Sequence, residues 1–182
     1  MPGKRLFFVF IKVQNVVESR EPKMLQSSSE IHLDELDIAI LREMQVSGRI
    51  TLAELARHIN LSAPATHARL RRLEQQGLIR EYVAVLERGR MGFDMLCFVS
   101  ISLQVHQFEQ VLQFRQRVLH MPEVQECHHI TGEYDYLLKV VIHNRQDLER
   151  FVVNQLTPMP GVARIHTSLV LTEVKNTTAI PI

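Results

Sequence analysis

The chain has 182 residues, of which 46% are hydrophobic and 23% charged, with a formal net charge of +1. These are ordinary globular values with enough apolar material for one large or two small domains, and a neutral total does not exclude nucleic acid, because what counts is whether basic residues gather on one face. Two cysteines, Cys97 and Cys127, make no disulfide framework, and the apolar run 6–11 (LFFVFI) is too short for a membrane span or, with Lys12 directly behind it, for a signal peptide; a cytoplasmic protein with no membrane partner is expected.

In chain order, residues 1–30 differ from the rest. Residues 6–11 have the composition of a short strand, but 14–30 are polar and end in three serines, with Met24 as an alternative start. Weak structure or a mis-started extension is expected there. From Leu33 the pattern becomes helical, with apolar Leu33, Leu36, Ile38, Ile40, Leu41, Met44 and Val46, and Gly48 as a stop. Thr51 followed by Glu54 reads as a capping box that opens a short second helix with Leu52, Leu55, Ala56 and Ile59 inward. Asn60-Leu61 is the turn. Ser62 caps a third helix, with Pro64 in its first turn and Gly77 at its end. Three helices in about 45 residues with these turns predict a helix-turn-helix.

After Gly77 the period changes to two. Ile79, Tyr82, Val83, Val85 and Leu86 predict a strand or wing leading into a linker over 87–91. Beyond it come a strand (93–103), a helix (105–119), a strand (124–130), a turn at 131–133, a strand (134–142), a helix (144–156) and a last strand (162–174). The order βαββαβ is that of a ferredoxin-like unit, an antiparallel sheet with both helices on one face, and its open face predicts pairing through the sheet. The expected fold is therefore α+β: an N-terminal winged helix-turn-helix with its linker over 31–90 and a βαββαβ domain over 91–182.

On the third helix, Thr66, Leu70, Leu73 and Gly77 form the inward stripe. Pro64, Ala68, Arg71 and Gln75 lie opposite, with His67 and Arg72 on the flanks. Small residues at Ala63, Ala65 and Ala68 let a helix lie close to base edges. Arg71 or Arg72 reaches guanine acceptors or phosphate, and His67 donates to either. The helix starts at Thr51 and Ser62 offer free N–H groups to phosphates. The expected DNA contacts are thus Thr51, Ser62, Ala63, Pro64, His67, Ala68, Arg71 and Arg72.

These residues carry a resemblance. The string from 33 to 79, opening on Leu33-Asp34-x-x-Asp37 and including Leu61-Ser62, Arg69, Arg72-Leu73-Glu74 and Gly77-Leu78-Ile79, resembles the Lrp/AsnC family of transcriptional regulators. The second half matches in 127–138 (CHHITGEYDYLL), in Pro160-Gly161-Val162 and in 177–182 (TTAIPI). Residues 31–182 are covered; 1–23 have no counterpart. The resemblance implies a DNA-binding dimer, often assembled to octamers, whose second domain is an ACT-like RAM effector domain that binds an amino acid or a close relative between subunits. It implies an effector site in the loop between the second and third strands, namely Thr131, Gly132, Glu133, Tyr134 and Asp135, with Thr167 and Ser168 contributed by a neighbouring chain. A zwitterion needs an acceptor for its ammonium, which Asp135 or Glu133 supplies, and N–H donors for its carboxylate, for which backbone near Gly132 is suited. Thr66 departs from the family pattern, where a valine-like residue is common, and its hydroxyl is expected to bond back to the helix.

Other chemistry is thinly represented. Cys127 and His129 share a strand face, but two ligands make no metal site, so no metal and no cofactor beyond the effector is expected. No phosphate-binding loop, dinucleotide fingerprint or activated nucleophile is present, and no enzyme activity is expected. Two other readings remain. A sirohaem-decarboxylase-like enzyme has the same two-domain architecture but no reason to keep a basic third helix. A ligand-sensing assembly protein without DNA binding would be indifferent to charge reversal at Arg71 and Arg72.

Overall fold

A computed structural model describes residues 32–104 and 108–182. The expectations for the first 31 residues, and for the start of the helix expected at 105, lie outside the described residues. The described chain divides into two compact units: residues 32–86 together with 173–182, and residues 87–172. The tail expected to belong with the second domain is grouped instead with the helices. Gln45 exchanges two hydrogen bonds with the Ile180 backbone (Ile180 N to Oε1 2.7 Å, Nε2 to Ile180 O 3.1 Å), and Arg42 Nε donates to Ile182 O at 2.7 Å.

The first unit holds α1 (Glu35–Val46), α2 (Leu52–His58) and α3 (Ala63–Gln75). Each begins on a residue whose side chain satisfies an otherwise unpaired first-turn N–H: Asp34, Thr51 and Ser62. Asp34 with Asp37, and Thr51 with Glu54, are reciprocal capping boxes. The α2–α3 turn is made by Asn60, which adopts φ 55°, while Leu61 N bonds back to Ala56 O at 2.9 Å. This closure turns the chain sharply between the two helices. Gly77 closes α3 the same way at φ 74°, with Leu78 N on Leu73 O at 3.0 Å and its own N–H on Glu74 O at 2.9 Å. Ile40, Leu41, Leu55, Ile59 and Leu73 form the core, flanked by Leu33, Met44, Ile50, Leu61, Leu70, Leu78 and Ile79.

Three expectations here are corrected. α1 ends at Val46 with Ser47 as its cap, before Gly48, and Val46 is exposed because the helical core lies on the other side. Gly77 is exposed, and acts as the helix stop rather than as part of the inward stripe. No strand forms over 80–86. A strand needs a neighbour to take its backbone bonds, and no described segment offers one; Tyr82, Val83, Val85 and Leu86 are exposed, and Tyr82 instead donates its hydroxyl to Glu74 Oε1 on α3 at 2.8 Å.

In the second unit a short 3-10 turn (Gly89–Met91) precedes β1 (Met95–Leu103), α4 (Phe108–Leu119), β2 (Val124–His129), β3 (Tyr136–Ile142), α5 (Arg145–Arg150) and β4 (Val162–Leu169). The sheet order is β2-β3-β1-β4, all antiparallel, as the βαββαβ order predicts. Alternation sends Cys97, Val99, Ile101 and Leu103 of β1 and Leu138, Val140 and Ile142 of β3 to the side where Phe114, Val118, Phe151 and Leu156 close the core. Each such side chain contributes about 1.5–3 kcal/mol by leaving water. The other face, with Phe98, Ser100, Leu137 and Lys139, is not covered by the helices of this unit. The expected helix over 144–156 is two pieces: α5, capped by Asn144, runs directly into a π-helical stretch, Phe151–Leu156. β4 stops at Leu169, with Val170 N making a last bond to Leu96 O of β1 at 2.9 Å, and does not run to 174.

Candidate nucleic-acid interface and effector loop

α3 is amphipathic in an unusual sense. Its inner side is Leu70, Leu73 and a fully buried Thr66, whose Oγ1 donates to Ser62 O one turn back at 3.1 Å. A hydroxyl satisfied inside its own helix needs no outside partner, so a polar residue is tolerated in the core. The outer side is built of small groups and donors. Ala63, Pro64, His67, Ala68, Arg71 and Arg72 are all exposed, as are the caps Thr51 and Ser62. The structure therefore has all eight expected DNA-contact residues at the surface, six of them on α3 or in its first turn.

They are not equivalent. Among the described residues, no hydrogen bond or ion pair holds Arg71 or His67, so both are available to a ligand. Thr51 is committed to its helix: Oγ1 accepts from Glu54 N at 3.2 Å and donates to Glu54 Oε2 at 2.7 Å. The hydroxyl of Thr51, and then its backbone N–H, hold the Glu54 carboxyl below its ordinary range. Arg72 is only half free, because its Nη2 pairs with Asp37 Oδ2.

Asp37 is the feature that residue spacing did not reveal. It is a carboxylate with 1% side-chain exposure, and three groups hold it. Asp34 N donates to its Oδ2 at 3.3 Å, Arg69 Nη1 donates to Oδ1 at 2.9 Å, and Arg72 closes on Oδ2. Arg69 also reaches Asp34 Oδ2 at 2.6 Å. Asp34 lies below the usual carboxylate range, mainly through the Asp37 backbone N–H that it accepts and then through Arg69. The N-terminus of α1 is thereby clamped to one side of α3, which sets how α3 is presented. The motif Leu33-Asp34-x-x-Asp37 marked the residues; their partners lie 32–35 positions along the chain.

The second candidate site is the loop joining β2 to β3. Thr131, Gly132 and Glu133 are exposed, and Tyr134 and Asp135 half-buried. The chain turns at Gly132 with φ 120°, where no heavy atom stands within 4 Å of the position a Cβ would occupy, so the backbone is open to an approaching group. Asp135 is bound into the fold at three points. Its Oδ2 accepts Leu103 N at 2.7 Å, its N–H donates to Ile101 O at 2.9 Å, and its carbonyl accepts Ile130 N at 2.9 Å. It thus stitches the loop to β1 at the irregularity between Ser102 and Leu103. Glu133 is the more exposed acceptor. It pairs with Arg164 Nη2 of β4, and the Arg164 guanidinium lies over the Tyr134 ring at 4.5 Å. Glu133 and then Tyr134 hold the Arg164 guanidinium more firmly protonated than usual. The His166 ring is 6.1 Å from that of Tyr134.

Within one chain, the β4 partners of the loop are Arg164 and His166. Thr167 and Ser168 pair with Val99 and Phe98, further along β1. Arg164, His166 and Ser102, whose Oγ donates to Glu133 O at 3.3 Å, are not marked by the motifs of the sequence. The signal for Arg164 and His166 was the period of two along β4, which puts 164, 166 and 168 on one face. Cys127 and His129 lie on the helix side, His129 stacked on Tyr136 at 5.0 Å. Among the described residues, no three His, Cys, Asp or Glu side chains gather as a metal site, and no helix is long and apolar enough to cross a membrane.

Known proteins resemble this chain across both regions. Residues 33–80 match a winged helix-turn-helix DNA-binding model, and residues 96–180 match the Lrp/AsnC ligand-binding domain. A leucine-responsive regulatory protein of Rhizobium meliloti is 36% identical over 152 residues, covering 84% of this chain and 97% of that protein. The Bkd operon transcriptional regulator of Pseudomonas aeruginosa is 36% identical, over 82% of this chain and 98% of its own. A transcriptional regulator of Neisseria meningitidis, solved as a complex with L-Met, superposes with a TM-score of 0.80 at 34% identity, over 82% of this chain and 97% of that one. With both halves matched in order, the chain belongs to the Lrp/AsnC family of DNA-binding transcriptional regulators and is not an enzyme.

Proposed function

We propose that this regulator reads DNA through α3 as a dimer, and that an amino acid or close relative bound at the 131–135 loop between subunits changes its DNA occupancy. The observation that carries the reading is the outer face of α3. Ala63, Pro64 and Ala68 leave room for base edges, while Arg71 and His67 stand ready to donate, on a helix whose other side is buried. Two such helices in successive major grooves lie about 34 Å apart along one DNA face, so loosely palindromic sites are expected. Thr51 and Ser62 then contribute through the N–H groups of their helix starts, and Arg72 through the guanidinium nitrogens that Asp37 does not use.

The face of the sheet bearing Phe98, Ser100 and Leu137 supports pairing through the sheet, and assembly to octamers would multiply DNA contacts by avidity. In the loop, Glu133 is the stronger candidate acceptor for an effector ammonium, because it is exposed and Arg164 takes only its Oε1, whereas Asp135 is half-buried and already holds Leu103 N. Backbone at Gly132 receives the carboxylate, and Thr167 and Ser168 of a neighbouring copy complete the pocket. The L-Met complex of the Neisseria relative supports an amino-acid effector. Effector binding shifts DNA occupancy only through a difference in affinity between two assemblies.

The test is fluorescence anisotropy on DNA from upstream of the protein's own gene against excess unrelated DNA, with and without a pool of amino acids that includes L-methionine and L-leucine. Selective binding that moves with the pool is expected. Selective binding unmoved by every amino acid would overturn the effector half. Absence of selective binding here and at other promoters would overturn the DNA half.

A further inference from the structure

The second unit holds a cavity of roughly 550 Å³ at the end of the sheet opposite the 131–135 loop. Its walls include Val141 and Ile142 at the end of β3, whereas the loop adjoins Tyr136 at the start. The two places are separated by the length of β3, about 20 Å at roughly 3.3 Å per residue. The volume lies within the range of small-molecule sites.

One side of the cavity is apolar: Phe93, Pro122 and Val141, with the Phe93 ring stacked on His143 at 3.9 Å. The other is polar and carries an imbalance. Asp147 and Arg150 pair with one another, and Asn144 Nδ2 donates to the second Asp147 oxygen at 3.1 Å. His143 Nδ1 is taken by Gly92 O at 2.7 Å. Glu123 is different. Gln155 Nε2 donates to its Oε1 at 3.2 Å, the long end of the range, and its enclosed Oε2 has no donor among the described residues. A shielded carboxylate oxygen left without a donor is costly, and native proteins rarely keep one without a use. Asn154 and Gln155, at the same wall, stand on the π-helical stretch Phe151–Leu156, a geometry that recurs at functional sites.

We propose that this cavity is a second ligand site, for a small organic ammonium compound with a short apolar body. The ammonium donates to the Glu123 carboxylate as the Gln155 amide turns aside from Oε1, and the body lies against Phe93 and Val141. The Asp147–Arg150 pair leaves the Glu123 carboxylate as the uncompensated charge of the wall, which favours a cation over a neutral or anionic head group. The site is independent of the 131–135 loop and of DNA binding.

The test is saturation-transfer NMR on the full chain with three probes of one body and different heads: n-butylammonium, n-butanol and butyrate. Saturable binding is expected for n-butylammonium, at least ten-fold weaker for the other two, and at least ten-fold weakened by Glu123→Gln. Asn154→Trp, at an exposed position on the rim, is expected to abolish it by filling the cavity and serves if Glu123→Gln fails to fold. Equal binding of n-butanol, unchanged binding in either folded variant, or loss in Glu133→Gln with Glu123→Gln unaffected would each overturn the proposal.

Discussion

Replacing Asp37 with alanine tests the clamp that presents α3. Asp37 is 1% exposed, while Arg69 and Arg72 are 28% and 47% exposed. Removing one partner of a fully buried ion pair costs about 3–5 kcal/mol. Here the two arginines recover water once released, so the loss is smaller. Two charge-assisted hydrogen bonds at about 1.5–3 kcal/mol each, less that rehydration, give a net of about 2–3 kcal/mol. For a helical unit of this size, that lowers its unfolding midpoint by roughly 10–20 °C. The assay is amide hydrogen exchange of α1 and α3, which reports this unit separately from the sheet. Exchange there should quicken together while β1 and β3 stay unchanged. Arg69→Ala should cost more than Arg72→Ala, because Arg69 bridges both carboxylates, and Asp37→Ala should couple to each in double-mutant cycles. A change under about 0.5 kcal/mol, or no coupling to either arginine, would refute the idea that Asp37 ties α1 to α3.

Three other outcomes are expected. Arg71→Ala should weaken DNA binding by about 1–3 kcal/mol without changing thermal stability, measured by anisotropy over a salt series; a flatter salt slope marks a phosphate contact, and an unchanged slope with relaxed sequence preference marks a base contact. Thr66→Val should change stability by less than about 1 kcal/mol in urea unfolding, since it removes a hydroxyl already satisfied by Ser62 O and leaves no outside group unpaired. Asp34 titrates below its ordinary value of 3.8 in the folded chain, so its contribution is complete above that value and disappears as pH falls through the lowered one. The stability gap between the parent and Asp34→Asn, followed by circular dichroism from about pH 7 to about pH 2.5, should therefore be constant near neutrality and close only in acid; a gap that grows below about pH 4 would contradict the assignment.

The local rules of the chain were legible in the sequence because their causes are local. Thr51 and Ser62 cap helices with groups three residues away, Asn60 and Gly77 close turns by left-handed backbone, and the β-forming run 93–103 with the alternation over 134–142 announces the sheet domain. The βαββαβ order implies its own strand arrangement, since few topologies satisfy it. The outer face of α3 follows from spacing alone, and all eight residues expected on the DNA side are exposed. Where a partner comes from far along the chain, spacing is silent. Asp37 reads as one more polar residue of a helix until Arg69 and Arg72 close over it, and Arg72 reads as free until Asp37 takes one of its nitrogens. Asp135 looks like a ligand acceptor but already holds Leu103 N, while Arg164 and His166 reach the loop only because β1 lies between β3 and β4. Residues 80–86 have the composition of a strand and no neighbour to pair with, and the tail at 173–182 belongs with the helices because Gln45 and Arg42 bind its backbone. Periodicity and capping are written in neighbouring residues, whereas charge pairing, strand register and the company a segment keeps depend on which distant surfaces meet, and only the tertiary structure decides that.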